Sequence, residues 1–249
     1  MQHLPRNRHG RDLLVGDLHG CVSLLETELA RIAFDADRDR VIAVGDLVDR
    51  GPESDHVGYL LLQPWFHSVL GNHDLSFAAR EVDPDSWEHW EIPGCHPWAT
   101  SLEEDHCDHL RQLIARLPWA MEIETEIGLV GIVHAEVPCP YTDWRTFTTD
   151  LDVGPNGLSL RDHAVYDRYL HRLATSDAIG DASAFEVTDV AHIVHGHSSS
   201  DDCRIQRLSN RYWIDCRGWE AASTSRYAIA AMGSPRLAIV DARDPGNLL

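Results

Sequence analysis

"DLLVGDLHGC", Asp12 to Cys21, is an apolar run that ends in an aspartate and a histidine set between two glycines. The run has the length of a buried strand. Behind it, Val22 to Ala33 places Val22, Leu25, Leu29 and Ile32 on one helical face. A second apolar run, Arg40 to Val44, closes a strand-helix-strand unit. The chain therefore reads as α/β from its first forty residues or so.

The strand-end pattern returns along the chain. "VIAVGDLVDRGPES" (Val41 to Ser54) ends in Gly-Asp, "SVLGNHD" (Ser68 to Asp74) in Gly-Asn-His-Asp, "GIVHAE" (Gly131 to Glu136) puts His134 after a fourth strand, and "IVHGHS" (Ile193 to Ser198) puts His197 after a fifth. The carboxyl ends of strands in an α/β sheet line one crevice, so residues distant in sequence converge there. Glycines let the chain turn sharply while the neighbouring side chain faces the crevice. Asp17, His19, Asp46, Asn72, His134 and His197 are then three oxygen donors and three imidazoles. That is too many for one tetrahedral ion and suits two ions of Mn, Fe or Zn type sharing a carboxylate. Each piece alone has a plainer reading: Asp17 or Asn72 can cap the helix that follows, and His134 can be a hydrogen-bonded core histidine. Their joint occurrence at successive strand ends favours metal.

Composition narrows the classes. The chain has 249 residues, 40 acidic against 21 basic, and a net charge of -19, which repels a phosphate backbone and argues against nucleic-acid binding. Its six cysteines form no C-x-x-C pair, no secretory leader pattern precedes them, and no apolar stretch approaches membrane length. Reduced thiols in a cytoplasmic protein without a membrane span are expected. Further strands are expected at Phe66 to Leu70, Ala120 to Glu124, Leu129 to Val133 and Val190 to Val194. Helices are expected at Ser54 to Leu62, Leu75 to Arg80, Leu102 to Leu117 (a capping box of Ser101 and Glu104) and Leu158 to Leu173. Asp150 to Asn156 and Thr175 to Ala184 read as loops, and the segments from Arg204 to Val240 as a closing antiparallel meander. One domain over residues 1–249 is the simplest organisation.

With "GDLHG", "GDLVDRGP" and "GNHD" in this order, followed by "HAE" and "GHS", the chain resembles the phosphoprotein phosphatase family of metallophosphoesterases. The likeness is closest to the small bacterial Prp-type and bacteriophage-lambda-type serine/threonine phosphatases. It implies a calcineurin-like α/β/β/α sandwich with its site at one sheet edge. It implies that Asp17 and His19 hold a first metal, that Asp46 bridges, and that Asn72, His134 and His197 complete a second, manganese being the expected ion. Arg50 is implied to reach the phosphate, and His73, oriented by Asp49, to be the catalytic acid. The second phosphate arginine maps to Arg168 in "VYDRYL", with Arg145 in "DWRTF" competing, because Tyr166 and Asp167 depart from the family pattern. Glu136 also departs from the residue usual after His-Ala.

The resemblance implies hydrolysis of phosphomonoesters of serine or threonine, and possible action on phosphotyrosine, by direct attack of a hydroxide bridging two metals. The expected partner is a phosphorylated protein or peptide. The alternative is a symmetrical bis(5'-nucleosyl)-tetraphosphatase, a group that typically carries alanine where this chain has Asp49; a non-catalytic phosphate-binding module is a third reading. Other features read as structural: His106 and His109 as an exposed helix face, His195 as a strand-end residue behind the site, and Trp87, Trp90 and Trp98 as packing residues.

Overall fold

The computed structural model describes residues 1–82, 96–153, 157–176, 179–199, 204–219 and 237–249. In chain order its strands are β1 (Gln2–Leu4), β2 (Asp12–Val15), β3 (Arg40–Ala43), β4 (Phe66–Ser68), β5 (Ala120–Thr125), β6 (Gly128–Val133), β7 (His192–His195), β8 (Gln206–Leu208), β9 (Arg211–Trp213), β10 (Ile239–Asp241) and β11 (Asp244–Leu248). The helices are α1 (Val22–Arg31), α2 (Val57–Leu61), α3 (Asn72–Val82), α4 (Glu104–Ile114), α5 (Trp144–Val153), α6 (Gly157–Tyr166) and α7 (Tyr169–Ala174).

The strands form two mixed sheets, ordered β11-β10-β2-β3-β4 and β1-β5-β6-β7-β9-β8. β2, β3 and β4 run parallel, as do β6, β7 and β9, so each sheet sends its carboxyl ends the same way within the set. Strand alternation divides the apolar residues between two faces. Leu14, Ile42 and Val44 point inward to meet Met121, Ile123, Ile132 and Val194 of the other sheet. Leu13, Val15, Val41 and Ala43 point outward, into a cluster with Leu25 and Leu29 of α1, Leu60 of α2 and Leu110 of α4. On the far side, Ala120, Val133 and Ile193 pack against Trp144, Phe147 and Leu151 of α5. The result is the expected α/β/β/α sandwich, in which central strands such as β2 and β3 are buried on both faces and therefore mostly apolar. Among the described residues no helix is long and apolar enough to cross a membrane.

Several expectations need correction. The closing segments are not one meander: β8 and β9 form a hairpin on one sheet, while β10 crosses to pair with β2 on the other. Tyr227 to Met232, like Trp87 and Trp90, lies outside the described residues. The helix expected from Leu158 to Leu173 is two, because Asp167 Oδ1 accepts the N–H groups of Arg168 (2.7 Å) and Tyr169 (3.0 Å) and starts α7 afresh. α5 occupies part of the expected loop at Asp150 to Asn156. The capping box does not form; α4 starts after Glu103 without a side-chain cap, and Ser101 Oγ donates to the Trp98 carbonyl instead.

Candidate active site

The site is built from turns that follow strands. β2 leads to Asp17 and His19, β3 to Asp46, Asp49 and Arg50, β4 to Asn72 and His73, β6 to His134, and β7 to His197. Five of these residues have left-handed backbone: His19 (φ 44°), Asp46 (48°), Asp49 (72°), Arg50 (64°) and His197 (61°). Such conformations cost L-residues energy and persist where the surroundings fix them, most often at functional sites. Gly20 (φ 62°) and Gly45 (φ 100°) share these sharp turns, as the sequence pattern expects, and the site residues beside them make the rest. Two other glycines matter for closeness, since a Cβ on Gly71 would strike Asp46 and one on Gly196 would strike Asp17 Oδ1.

Asp46 is the hub. Its carboxylate belongs to two groups of possible ligand atoms, each mutually within 4.8 Å, one with His19 and His73 and one with His134 and His197. His19 Nδ1 donates to the Val48 carbonyl (2.9 Å) and His134 Nδ1 to the Val44 carbonyl (2.8 Å). A carbonyl only accepts, so these bonds place a proton on each Nδ1 and aim both Nε2 atoms into the crevice. There His19 Nε2, buried and without a hydrogen-bond partner, faces Asp46 Oδ2 at 3.6 Å. His134 Nε2 stands 3.3 Å from Asp46 Oδ1 and 3.1 Å from Asn72 Oδ1, which is also 2.7 Å from His197 Nδ1. Asn72 therefore points its oxygen into the cluster and is not a helix cap.

Acceptors gathered in this way need positive charge among them. Burial would push the His134 imidazolium down, but Asp46, with Asp17 behind it, outweighs that and lifts it to about 9. Burial, Asp215 and Asp46 push Asp17 up, and burial with Asp46 raises Asp74 to about 7. His19, by contrast, is held neutral, burial lowering it to about 3. Buried carboxylates that cannot all ionise, beside a neutral His19 with a free Nε2 lone pair, fit oxygen- and nitrogen-binding divalent cations. Asp17 stands slightly apart from this set. Its carboxylate accepts the His197 backbone N–H at 3.0–3.1 Å, so it abuts the cluster without joining either ligand group.

His73 sits between ligand and acid. Its Nδ1 lies 2.7 Å from Asp49 Oδ2, and Arg50 Nη2 lies 3.1 Å from its Nε2. A guanidinium beside that nitrogen disfavours a metal there, and since Arg50 can only donate it meets the Nε2 lone pair. Asp49 is buried, and its second oxygen accepts from the His96 N–H (2.9 Å), His96 Nδ1 (2.9 Å) and Trp98 Nε1 (2.7 Å). Burial alone would raise its pKa; the bonds from His73, His96 and Trp98 outweigh burial and hold it well below the ordinary carboxylate range.

Sequence reading missed His96 and placed packing ahead of a groove-lining role for Trp98, without its bond to Asp49. It also missed Asp74, whose carboxylate accepts from Leu47 N (2.8 Å), Val48 N (3.3 Å) and Gly71 N (3.0 Å), clipping two motif loops together. Of the two candidate arginines, Arg168 reaches the site, its Nε donating to His197 Nε2 at 2.9 Å. Arg145 begins α5 with its N–H on Asp189. Glu136 takes the His171 N–H at 2.9 Å, fixing α7 beside the crevice. His195 lies behind the site, buried and stacked on Trp213 with its Nδ1 on the Val133 carbonyl.

Buried imidazoles and carboxylates around one shared aspartate, with arginines at the rim, are the parts of a metal-dependent hydrolase of phosphate esters. Residues 11–201 match the family model for calcineurin-like phosphoesterases, and the chain belongs to that family. It is 35% identical over 136 residues to serine/threonine-protein phosphatase 1 of Salmonella typhimurium, a match covering 53% of this chain and 62% of the relative. It is 32% identical over 166 residues to the symmetrical bis(5'-nucleosyl)-tetraphosphatase of Pseudomonas fluorescens, covering 66% of this chain and 54% of the relative. The chain thus spans less than two thirds of the length of either. A crystal structure provisionally described as a diadenosine tetraphosphatase superposes with a TM-score of 0.57 at 21% identity, covering 100% of this chain and 96% of that one. This last likeness bears on the fold alone.

Proposed function

We propose that the chain is a serine/threonine protein phosphatase that uses two divalent ions, manganese the first choice, to hydrolyse phosphomonoesters. The observation that carries this reading is the His73–Asp49 pair, 2.7 Å apart and buried within the candidate site. A seryl or threonyl alkoxide is a poor leaving group and needs a proton as its bond to phosphorus breaks. A nucleotide leaving from a tetraphosphate is already a good leaving group and needs none. Asp49 fixes the ring of His73 through Nδ1, which leaves Nε2, once Arg50 turns to the phosphate, to serve the departing oxygen as proton carrier.

Asp17, His19 and Asp46 would hold one ion, and Asp46, Asn72, His134 and His197 the other. When bound, such ions supply Lewis acidity and lower the pKa of water towards neutrality. Arg50 and Arg168 serve the equatorial phosphate oxygens, leaving their present imidazole partners as substrate enters. The whole described chain would act as one domain on a phosphorylated protein or peptide.

The second reading, a symmetrical tetraphosphatase, draws on the Pseudomonas relative. A metal-loaded sample assayed side by side on a phosphoserine peptide and on diadenosine tetraphosphate separates the two. Preference for the peptide is expected, and clear preference for the nucleotide overturns the protein-phosphatase reading. His73→Asn should keep its metals and slow phosphoserine hydrolysis by about a hundred-fold or more, while slowing an activated aryl phosphate much less. Equal slowing of both esters removes the acid role.

A further inference from the structure

Behind the crevice wall, Glu136 Oε2, His171 Nε2, His195 Nε2 and Trp213 Nε1 are all buried and all without a hydrogen-bond partner among the described residues. Their residues are neighbours. The His195 ring stacks on the Trp213 indole with centroids 5.0 Å apart, and the His171 ring meets the same indole edge-on at 5.6 Å. Glu136 joins them through its other oxygen, Oε1, which accepts the His171 N–H at 2.9 Å. Glu136, His195 and Trp213 are each at most 1% exposed, so bulk solvent does not satisfy these atoms.

Buried polar atoms are almost always paired, and leaving one unpaired is costly. The chemistry of this set identifies its partner. Trp213 Nε1 only donates, while Glu136 Oε2 is a carboxyl oxygen. His195 Nδ1 donates to the Val133 carbonyl at 3.0 Å and burial holds the ring neutral, which leaves its Nε2 an acceptor. An anion in this space would meet acceptors, and a cation would meet the indole N–H. Nor do Glu136, His171 and His195 form a group whose ligand atoms come mutually within 4.8 Å. Water both donates and accepts, and it is the usual partner of buried polar groups that do not reach one another.

The members of the set also stand next to the candidate site. Glu136 lies two residues beyond His134, His195 two before His197, and His171 three after Arg168. Arg168 in turn donates from Nε to His197 Nε2 at 2.9 Å. Leu170 of α7 packs in one apolar cluster with Leu208 and Trp213, so the helix rests directly on β8 and β9.

We propose that ordered water held by Glu136, His171, His195 and Trp213 joins α7 to the strand ends, and that this buried network is a positioning device that sets Arg168 at the site. The inference rests on the phosphoester-hydrolase reading above, in which Arg168 meets the phosphate, and deepens it: Arg168 is aimed from beneath its helix as well as by His197. His171, His195 and Trp213 are positioning residues that act on the phosphate through Arg168.

The first test is crystallographic. A crystal structure of the whole chain that shows ordered water should place a water within about 3.2 Å of two or more of these atoms. Absence of a bridging water, whether the atoms pair directly or hold another group, overturns the network. The second test is calorimetric binding of orthophosphate to the metal-loaded protein, with KM and kcat on a phosphoserine peptide. His171→Leu, and Trp213→Phe, which keeps an aromatic ring beside His195, should each weaken orthophosphate binding about five-fold. KM should rise by a similar factor with kcat within about two-fold of wild type. His171→Gln keeps a polar group in place of Nε2 and should recover most of the binding.

In an Arg168→Ala background the same substitutions should have no further effect, since nothing remains to be positioned. A folding defect would persist in that background. Equal losses with and without Arg168, equal losses in His171→Leu and His171→Gln, or orthophosphate binding untouched in both His171→Leu and Trp213→Phe overturns the positioning role. Failure of the protein to hydrolyse any phosphoester would sink the functional reading, whereas the water positions and the orthophosphate cycle judge the network by themselves.

Discussion

Asp49 accepts four hydrogen bonds on two oxygens, and only one of them comes from the candidate acid. The other three hold the carboxylate in its charged form and in one orientation, so His96 and Trp98 act on the chemistry through Asp49. Trp98→Phe keeps a ring against Phe77, now 5.0 Å away, and removes only the N–H. It is expected to lower kcat on a phosphoserine peptide by about ten-fold, the worth of one charge-assisted bond, with KM unchanged. An activated aryl phosphate should be hydrolysed nearly as before; equal loss on both substrates assigns Trp98 a packing role alone. Asp46 has a different signature. Asp46→Asn removes the negative charge of the hub shared by both ligand groups, and metal analysis of the purified variant should give fewer than two equivalents per chain. Two full equivalents would contradict the bridge.

At the scale of elements, the short helix α7 carries Arg172 and follows directly on Arg168, and its first turn is held by Glu136, buried three residues beyond β6. Glu136→Ala leaves first-turn N–H groups unpaired and should cost about 1–2 kcal/mol in urea unfolding. It should also raise KM several-fold as the arginines lose their register; unchanged KM with lowered stability would confine Glu136 to folding. The elements differed in how far they could be read. Apolar runs ending in Gly-Asp or His announced β2, β3, β4, β6 and β7, because a strand buried on both faces has no polar position to blur it. β11, "DPGNL", lies at a sheet edge and carries no such signal. α5, "WRTFTTDLDV", mixes threonines with its apolar stripe, which hid it beneath a loop reading. The break before α7 was legible in principle, since an aspartate such as Asp167 readily turns the chain by taking the N–H groups that follow it, yet the apolar spacing ran through it. His96 and Trp98 lay beyond such reasoning, because what places them is a contact with Asp49 across a long sequence separation.

For the molecule as a whole, the two sheets share one apolar core and gather their chemistry at the carboxyl ends of their parallel strands, so the opposite pole should bear on stability alone. That pole is tied by ion pairs: Arg40 clasps Asp12 at 2.7 and 3.0 Å, and Arg11 clasps Asp39 at 2.5 and 3.1 Å. Asp39 is 5% exposed and also accepts the Arg11 backbone N–H at 2.7 Å. Burial alone would raise its pKa, but the bonds from Arg11 outweigh burial and lower it. A carboxylate with a depressed folded pKa adds stability above its unfolded pKa of about 3.9 and loses it as pH falls through the lower folded value. Asp39→Asn should therefore cost about 2 kcal/mol in urea unfolding at pH 7, since Arg11 is left partly buried without its partner. The gap between wild type and variant should narrow below about pH 4 and close at lower pH, as both chains come to carry an uncharged group there. KM and metal content at pH 7 should match wild type, because the substitution sits at the amino ends of β2 and β3, away from every candidate ligand. A gap that persists unchanged at low pH would mean that Asp39 acts by packing and not by charge, and a shift in KM would mean that the two poles are mechanically joined.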